Sequence, residues 1–160
     1  MNAVPRITSR AEFGAALRWG LGTACMRDAR RLWCVDRSFA DWPLDDAALL
    51  EQLGAWLRRP QRRLVLLAGS YDEMVRWQPR FVAWRRDWAH AVEAWQSPAN
   101  PGDLPTVLVD DAAVCVQLAD RVHWRGRAGL DARVAQGWRE EIDVVLQRSE
   151  ASFPVKLLGL

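Results

Sequence analysis

The first group of side chains that could do chemistry lies in residues 104–116, where two apolar runs meet at the adjacent carboxylates Asp110 and Asp111. Paired carboxylates supply the hard oxygen ligands that divalent metals prefer. Adjacent residues of a strand, however, point to opposite faces, so both carboxylates cannot readily hold one ion. The pattern therefore predicts a buried hairpin with Asp110 at its turn, and no metal site.

A second group is basic and carries one of the two histidines of the chain. Residues 118–127 predict a strand with a basic tip. Guanidinium groups suit phosphate oxygens, so we predict an anion-binding surface, with Asp110 a further candidate, formed by Arg121, His123, Arg125 and Arg127. That interpretation fails if the arginines lie on separate faces or are held in internal ion pairs. The other histidine, His90, lies in an apolar stretch that predicts a packing role.

A third group is aromatic. Trp77, Phe81, Trp84 and Trp88 fall in one narrow stripe at helical spacing, with arginines beside it. Such a stripe is usually core, and the alternative is a stacking platform for single-stranded nucleic acid. Because the chain has ten tryptophans, some are expected to be half exposed and to serve an interface. Trp77, Trp84 and Trp88 are the interface candidates.

Composition indicates one domain over residues 1–160, half of it apolar and able to bury about 70% of its unfolded surface. The net charge of +2 is too small to indicate a polyanionic partner by itself. Three singly spaced cysteines argue against a complete disulfide framework and predict a reducing, cytoplasmic compartment. No run approaches the roughly 20 apolar residues that span a bilayer, so no membrane association is expected.

Apolar periodicity and capping residues predict the elements that must position these groups. Ser9 and Glu12 form a capping box before a helix over residues 9–30, and Asp45 or Asp46 caps a second helix. Pro79 divides a later helical stretch into two pieces. Strands are predicted at Arg31–Asp36, Arg63–Ala68, 89–95, in the hairpin and at 118–127, before a long final helix and an apolar tail at 151–160. This order predicts an α/β fold, a mixed β-sheet flanked by helices.

Several stretches together resemble one half of a phospholipase D-like domain over about residues 9–150: L-W-C-V-D, D-W-P-L, R-L-V-L-L-A, P-R-F-V-A-W-R-R-D-W and T-V-L-V-D-D-A-A-V-C-V. More narrowly, the chain is similar to a bacterial branch of that superfamily, found alone or fused behind acetyltransferase domains. Active members carry H-x-K-x4-D on the strand entering the hairpin. There the histidine attacks phosphorus, the lysine holds phosphate oxygens and the aspartate supports both. Placing the motif aspartate on Asp110 puts Asp103 and Pro105 at the histidine and lysine positions.

Other placements of the motif on the sequence also leave it incomplete. With the aspartate on Asp111, the histidine and lysine positions are Leu104 and Thr106. The nearest imitation runs from His123 to Asp131, with an arginine in place of lysine and one residue too many. In a strand, that extra residue turns the side chain to the opposite face.

The resemblance therefore implies a degenerate half domain with no catalytic residues and no cofactor, in which Asp110 is structural. Single-half members of the superfamily build their sites as homodimers, so a homodimer is implied. We predict a non-catalytic binding or protein-interaction domain whose partner the sequence does not identify. One alternative is nucleic-acid or phosphorylated-ligand binding through an arginine-lined groove. A second is a hydrolase of altered mechanism resting on Asp110, Asp111 and His123.

Overall fold

The computed structural model describes residues 4–152, apart from the side chain of Pro101, so residues 153–160 of the predicted tail lie outside the described residues. The helices are α1 (Arg10–Met26), α2 (Ala47–Leu57), α3 (Asp72–Trp77), α4 (Pro79–Asp87) and α5 (Ala132–Leu146), with a 3-10 turn at Pro101–Asp103. The strands are β1 (Arg31–Asp36), β2 (Arg63–Ala68), β3 (Val92–Gln96), β4 (Thr106–Asp110), β5 (Val114–Asp120), β6 (Arg125–Leu130) and β7 (Glu150–Ala151).

The strands form one mixed sheet in the order β6-β5-β4-β1-β2-β3-β7. β1, β2 and β3 run parallel, as the βαβ connections through α2 and through α3 and α4 require. The remaining pairs are antiparallel, including β1 with β4, where Leu32 lies opposite Asp110. The predicted α/β class with a mixed sheet flanked by helices is therefore confirmed.

Strand alternation divides the core between the two faces of the sheet. On one face, residues such as Leu32 and Leu66 pack with Leu17 of α1 and Leu53 of α2 in the larger cluster. On the other face, Val35 and neighbouring residues pack against α5. Continuous apolar runs such as R-L-V-L-L-A follow from this arrangement, because central strands are covered on both sides.

Local signals place most element ends correctly. Ser9 accepts a hydrogen bond from the Glu12 amide at 3.1 Å and begins α1, and Asp46 caps α2 through the amides of Ala48 and Leu49. α3 and α4 are separate helices, with Pro79 in the first turn of the second. Within residues 4–152, no helix is long and apolar enough to cross a membrane.

The prediction of one strand over residues 118–127 is wrong. β5 ends at Asp120, and β6 begins at Arg125 after a tight turn. The Asp120 carboxylate accepts hydrogen bonds from the amides of Val122 and His123, at 2.9 and 3.1 Å. Trp124 then takes a left-handed φ of 54° and packs its ring 5.9 Å from Phe13. The turn therefore forms because Asp120 caps it and Trp124 is drawn toward the core.

Candidate functional site

The carboxyl ends of β1 and β2 are where an open α/β sheet ordinarily binds a ligand. In this chain that position holds a polar group, the sheet-end cluster, formed by Asp36, Thr106 and Arg121. Asp36 is the last residue of β1 and is only 2% exposed. Its Oδ1 accepts a hydrogen bond from the Thr106 hydroxyl at 2.6 Å and another from the Arg121 guanidinium.

The other carboxylate oxygen of Asp36 is also occupied. Oδ2 accepts hydrogen bonds from the amides of Ser38 at 3.2 Å and Phe39 at 2.7 Å. These bonds hold the loop after β1, in which Phe39 takes a left-handed φ of 60°. Asp36 thus has four internal donors. Both of its carboxylate oxygens are used within the fold, where they hold the loop after β1 and the ends of the strands together.

Arg121, the first of the predicted anion-binding residues, belongs to the sheet-end cluster. Its side chain is 24% exposed, its guanidinium also contacts the Thr106 hydroxyl, and burial lowers the pKa of Arg121. Sequence reasoning missed its two partners. The available signals were a charged residue at the end of β1 and Thr106 at the lysine position of the motif when that motif is placed on Asp111.

Asp110 lies at the opposite end of β4 from Thr106 and is fully buried. Its Oδ1 accepts hydrogen bonds from the amides of Ala112 and Val114, each at 2.9 Å, and so closes the β4–β5 turn. Its Oδ2 is buried with no hydrogen-bond partner among the residues that the structure describes. Burial raises the pKa of Asp110, and the charge of Asp111 adds to the increase.

The two aspartates do not converge on a common point. Asp111 is exposed, and its Oδ1 accepts a hydrogen bond from the Arg30 amide at 3.3 Å. In the described part of the chain, no group of three or more His, Cys, Asp and Glu residues is placed to hold a metal ion. His123 lies beyond the far end of β5, so Asp110, Asp111 and His123 do not form one site.

The rest of the predicted basic surface lies at the β5–β6 turn and on β6. His123 Nδ1 lies 2.9 Å from Asp120 Oδ2, and this hydrogen bond lowers the pKa of Asp120. Arg125 and Arg127 are exposed on β6, an edge strand, and neither forms an ion pair with any residue from 4 to 152. The charge of Arg125 is one of several causes that lower the pKa of Glu12. Arg127 lines a cleft of about 300 Å³ beside Cys115.

The five predicted ligand residues therefore separate into groups. Arg121 is held in the sheet-end cluster, His123 is paired with Asp120, and Asp110 lies at the other end of the sheet. Arg125 and Arg127 remain together, two residues apart on one strand. A single groove containing all five residues is not present among the described residues.

The four aromatic residues of the predicted stripe also differ in their burial. Phe81 is fully buried, Trp84 and Trp88 are half-buried, and Trp77 is 64% exposed, with its indole N–H donating to Glu73 at 3.0 Å. The break at Gln78 between α3 and α4 turns Trp77 away from the others. His90 is exposed beside Trp88, with ring centroids 5.7 Å apart, because it precedes β3. It is not the core packing residue that its apolar neighbours predict.

Trp84 and Trp88 instead form one wall of a cleft of about 340 Å³ between α2 and α4, the tryptophan cleft. Its other lining residues are Ala47, Leu50, Glu51, Gly54, Arg58 and Arg80. The indole nitrogens of Trp84 and Trp88 would lie 3.4 and 3.5 Å from a Cβ built on Gly54. Periodicity groups the tryptophans on one stripe of α4, but only the packing of α2 against α4 brings Gly54 to them.

No protein-family model matches the chain, and no curated protein matches it. Among solved structures, the chain is similar to TrmBL2, described as an archaeal chromatin protein that shows a novel mode of DNA binding. The TM-score is 0.64 at 12% sequence identity, and the match covers 95% of this chain and 56% of the TrmBL2 chain. The chain thus spans little more than half of that structure, and the likeness shows a shared fold alone.

Proposed function

We propose that this chain is a non-catalytic binding domain whose ligand is nucleic acid. The observation that carries the proposal is the state of the arginines on β6. Arg125 and Arg127 are exposed, form no ion pair with a described residue, and lie on the same face of an edge strand. The strand rise places their Cα atoms about 6.6 Å apart. Two guanidinium groups held in this way can each take a phosphate oxygen.

The fold comparison supports this choice of ligand. TrmBL2 is described as binding DNA. A fold hosts many functions, so the comparison adds weight only beside a site argument. Here the exposed arginines of β6, which form no ion pair with residues 4–152, supply that argument, and for this reason we place nucleic acid ahead of an unidentified protein partner.

The hydrogen bonds of the sheet-end cluster support the proposal that the chain is non-catalytic. All the acceptor positions of Asp36 are used by Thr106, Arg121 and two backbone amides. The residues at the histidine and lysine positions of the motif, Asp103 and Pro105, cannot attack phosphorus and hold its oxygens as that pair does.

We also propose that the chain is a degenerate phospholipase D-like half domain that forms a homodimer in the cytoplasm. The buried aspartate at the hairpin turn supports the lineage. Three free, buried cysteines, Cys25, Cys34 and Cys115, support a reducing compartment. Light scattering after size exclusion tests the dimer, because a constant monomer mass over a wide concentration range would refute it.

Fluorescence anisotropy of labelled oligonucleotides across a salt series tests the nucleic-acid proposal. Binding should weaken with salt, since phosphate neutralisation releases counterions. The double variant Arg125→Ala/Arg127→Ala should bind duplex DNA about tenfold more weakly and reduce the salt slope by about 1.8, the value for two lost phosphate contacts.

The matched control is Arg27→Ala/Arg30→Ala, which removes the same charge from exposed positions near the opposite end of the sheet. Equal losses in the two double variants would mean that net charge, not the β6 surface, causes binding. No binding by the unmodified chain at low salt would refute the function.

A further inference from the structure

We propose that the tryptophan cleft binds one unpaired nucleotide of a single-stranded nucleic acid, with the base against Trp84 and Trp88 and the phosphate at Arg58 and Arg80. This inference rests on the proposed nucleic-acid function and deepens it, because it names the form of nucleic acid and a second contact site. The site lies between α2 and α4, on the face of the sheet opposite α5 and apart from the arginines of β6.

The walls of the tryptophan cleft suit a planar ring. The Trp84 and Trp88 rings are 6.3 Å apart and inclined at 41°, and both are half-buried against the core. Their indole N–H groups donate to no residue that the structure describes. Because both indole nitrogens lie toward Gly54, a base would use the faces of the rings, on which any planar aromatic ring can stack.

Gly54 keeps the floor of the cleft open. It is a buried helical residue whose added Cβ would lie within 3.4 to 3.6 Å of Trp84 and Trp88. Any larger side chain would occupy the space between α2 and the two rings. The glycine therefore adds depth to the cleft of about 340 Å³, and a methyl group at this position would fill that part in van der Waals contact with both rings.

The charges at the rim suit a phosphate. Arg58 and Arg80 are exposed and form no ion pair within the described part of the chain, whereas Glu51 contributes one negative charge, so two positive charges and one negative charge leave the rim at +1. Guanidinium groups both hold phosphate oxygens and stack on aromatic rings. Charge and aromatic walls together favour a nucleotide over an acidic peptide, which would use only the arginines.

The cleft is positioned before any ligand arrives. Asp45, in the loop before α2, accepts hydrogen bonds from the backbone amides of Arg80 at 2.7 Å and Phe81 at 3.2 Å. These two bonds fix the start of α4 relative to α2. A preformed site avoids part of the ordering entropy that binding otherwise costs.

Only an unpaired base can enter such a cleft, because the bases of a duplex are stacked on their neighbours. The test compares a labelled oligothymidylate of about 12 nucleotides, within the usual footprint of a single-strand binding surface, with its duplex. Gly54→Ala should lower single-strand affinity about threefold or more, and Trp88→Leu about tenfold. Neither should change duplex affinity by more than twofold.

The matched control is Trp77→Leu, which removes an exposed tryptophan outside the cleft and should leave both affinities unchanged. Circular dichroism confirms that each variant is folded. If Trp88→Leu does not fold, Gly54→Ala still provides the test. Equal effects on single strand and duplex, or displacement of the oligonucleotide by an acidic peptide at the same concentration, would overturn the cleft proposal. In that case binding by the β6 arginines would persist, whereas failure of the function itself would abolish binding of both probes.

Discussion

The Asp36 carboxylate and the Arg121 guanidinium are in contact although 85 residues separate them in the sequence. The contact joins the end of β1 to the β5–β6 turn across β4, whose Thr106 hydroxyl completes the group. It neutralises the buried charge at the place where related sheet architectures bind ligands. The Asp36 carboxylate therefore stabilises the fold at this end of the sheet.

Removing Arg121 should destabilise the chain. Arg121→Met leaves a buried carboxylate without its countercharge, although three other donors to Asp36 remain. We expect the free energy of unfolding to fall by about 2 to 3 kcal/mol, measured by urea denaturation. The exposed Arg125→Met variant should stay within about 0.5 kcal/mol of the parent. Equal stability of both variants would mean that the ion pair contributes nothing net.

Asp110 should make stability depend on pH. Because burial raises its pKa in the folded state, the folded chain holds a proton that the unfolded chain releases. The stability contribution is therefore complete below the unfolded pKa and is lost as pH rises through the folded pKa. Asp110→Asn keeps an oxygen for the Ala112 and Val114 amides and removes this titration. As pH rises above about 4, the ordinary pKa of an aspartate, the variant should gain stability relative to the parent, and parallel pH profiles would contradict the assignment.

Gly126 should not tolerate a side chain. A Cβ at this position would lie 2.1 Å from the carbonyl oxygen of Gln117 on the paired strand, a backbone atom that cannot move aside. Gly126→Ala should lower stability by about 1 to 3 kcal/mol, seen as a fall of at least several degrees in Tm. Gly129→Ala, where no atom lies within 4 Å of the added Cβ, is the control and should change Tm little.

Two glycines of α1 should respond in opposite directions to the same substitution. Gly20→Ala places a methyl group 2.7 Å from Leu108 and 2.9 Å from Val116, so overpacking against the sheet outweighs the gain in helix propensity. Gly14→Ala meets nothing within 4 Å and should add up to about 1 kcal/mol. Urea denaturation of both variants measures the difference. A stabilising Gly20→Ala would show that α1 can move away from β4 and β5.

The sequence alone determined the elements whose signals are local. The bounds of Arg31–Asp36 and Arg63–Ala68 follow from short apolar runs, and the starts of α1 and α2 follow from Ser9 and Asp46. The α/β class follows from the order of these elements. Each of these signals depends on residues within one or two turns of chain, which is why they can be read without a structure.

Only the tertiary structure decided which distant groups meet. The pairing of β4 with β1 brings Thr106 and Arg121 to Asp36, and the packing of α4 on α2 brings Trp84 and Trp88 to Gly54. The same packing removes Arg121 from the predicted anion surface and leaves Arg125 and Arg127 on the edge strand. Strand order and helix packing depend on the burial of apolar surface by many distant residues at once. The spacing of residues along the chain therefore does not predict them.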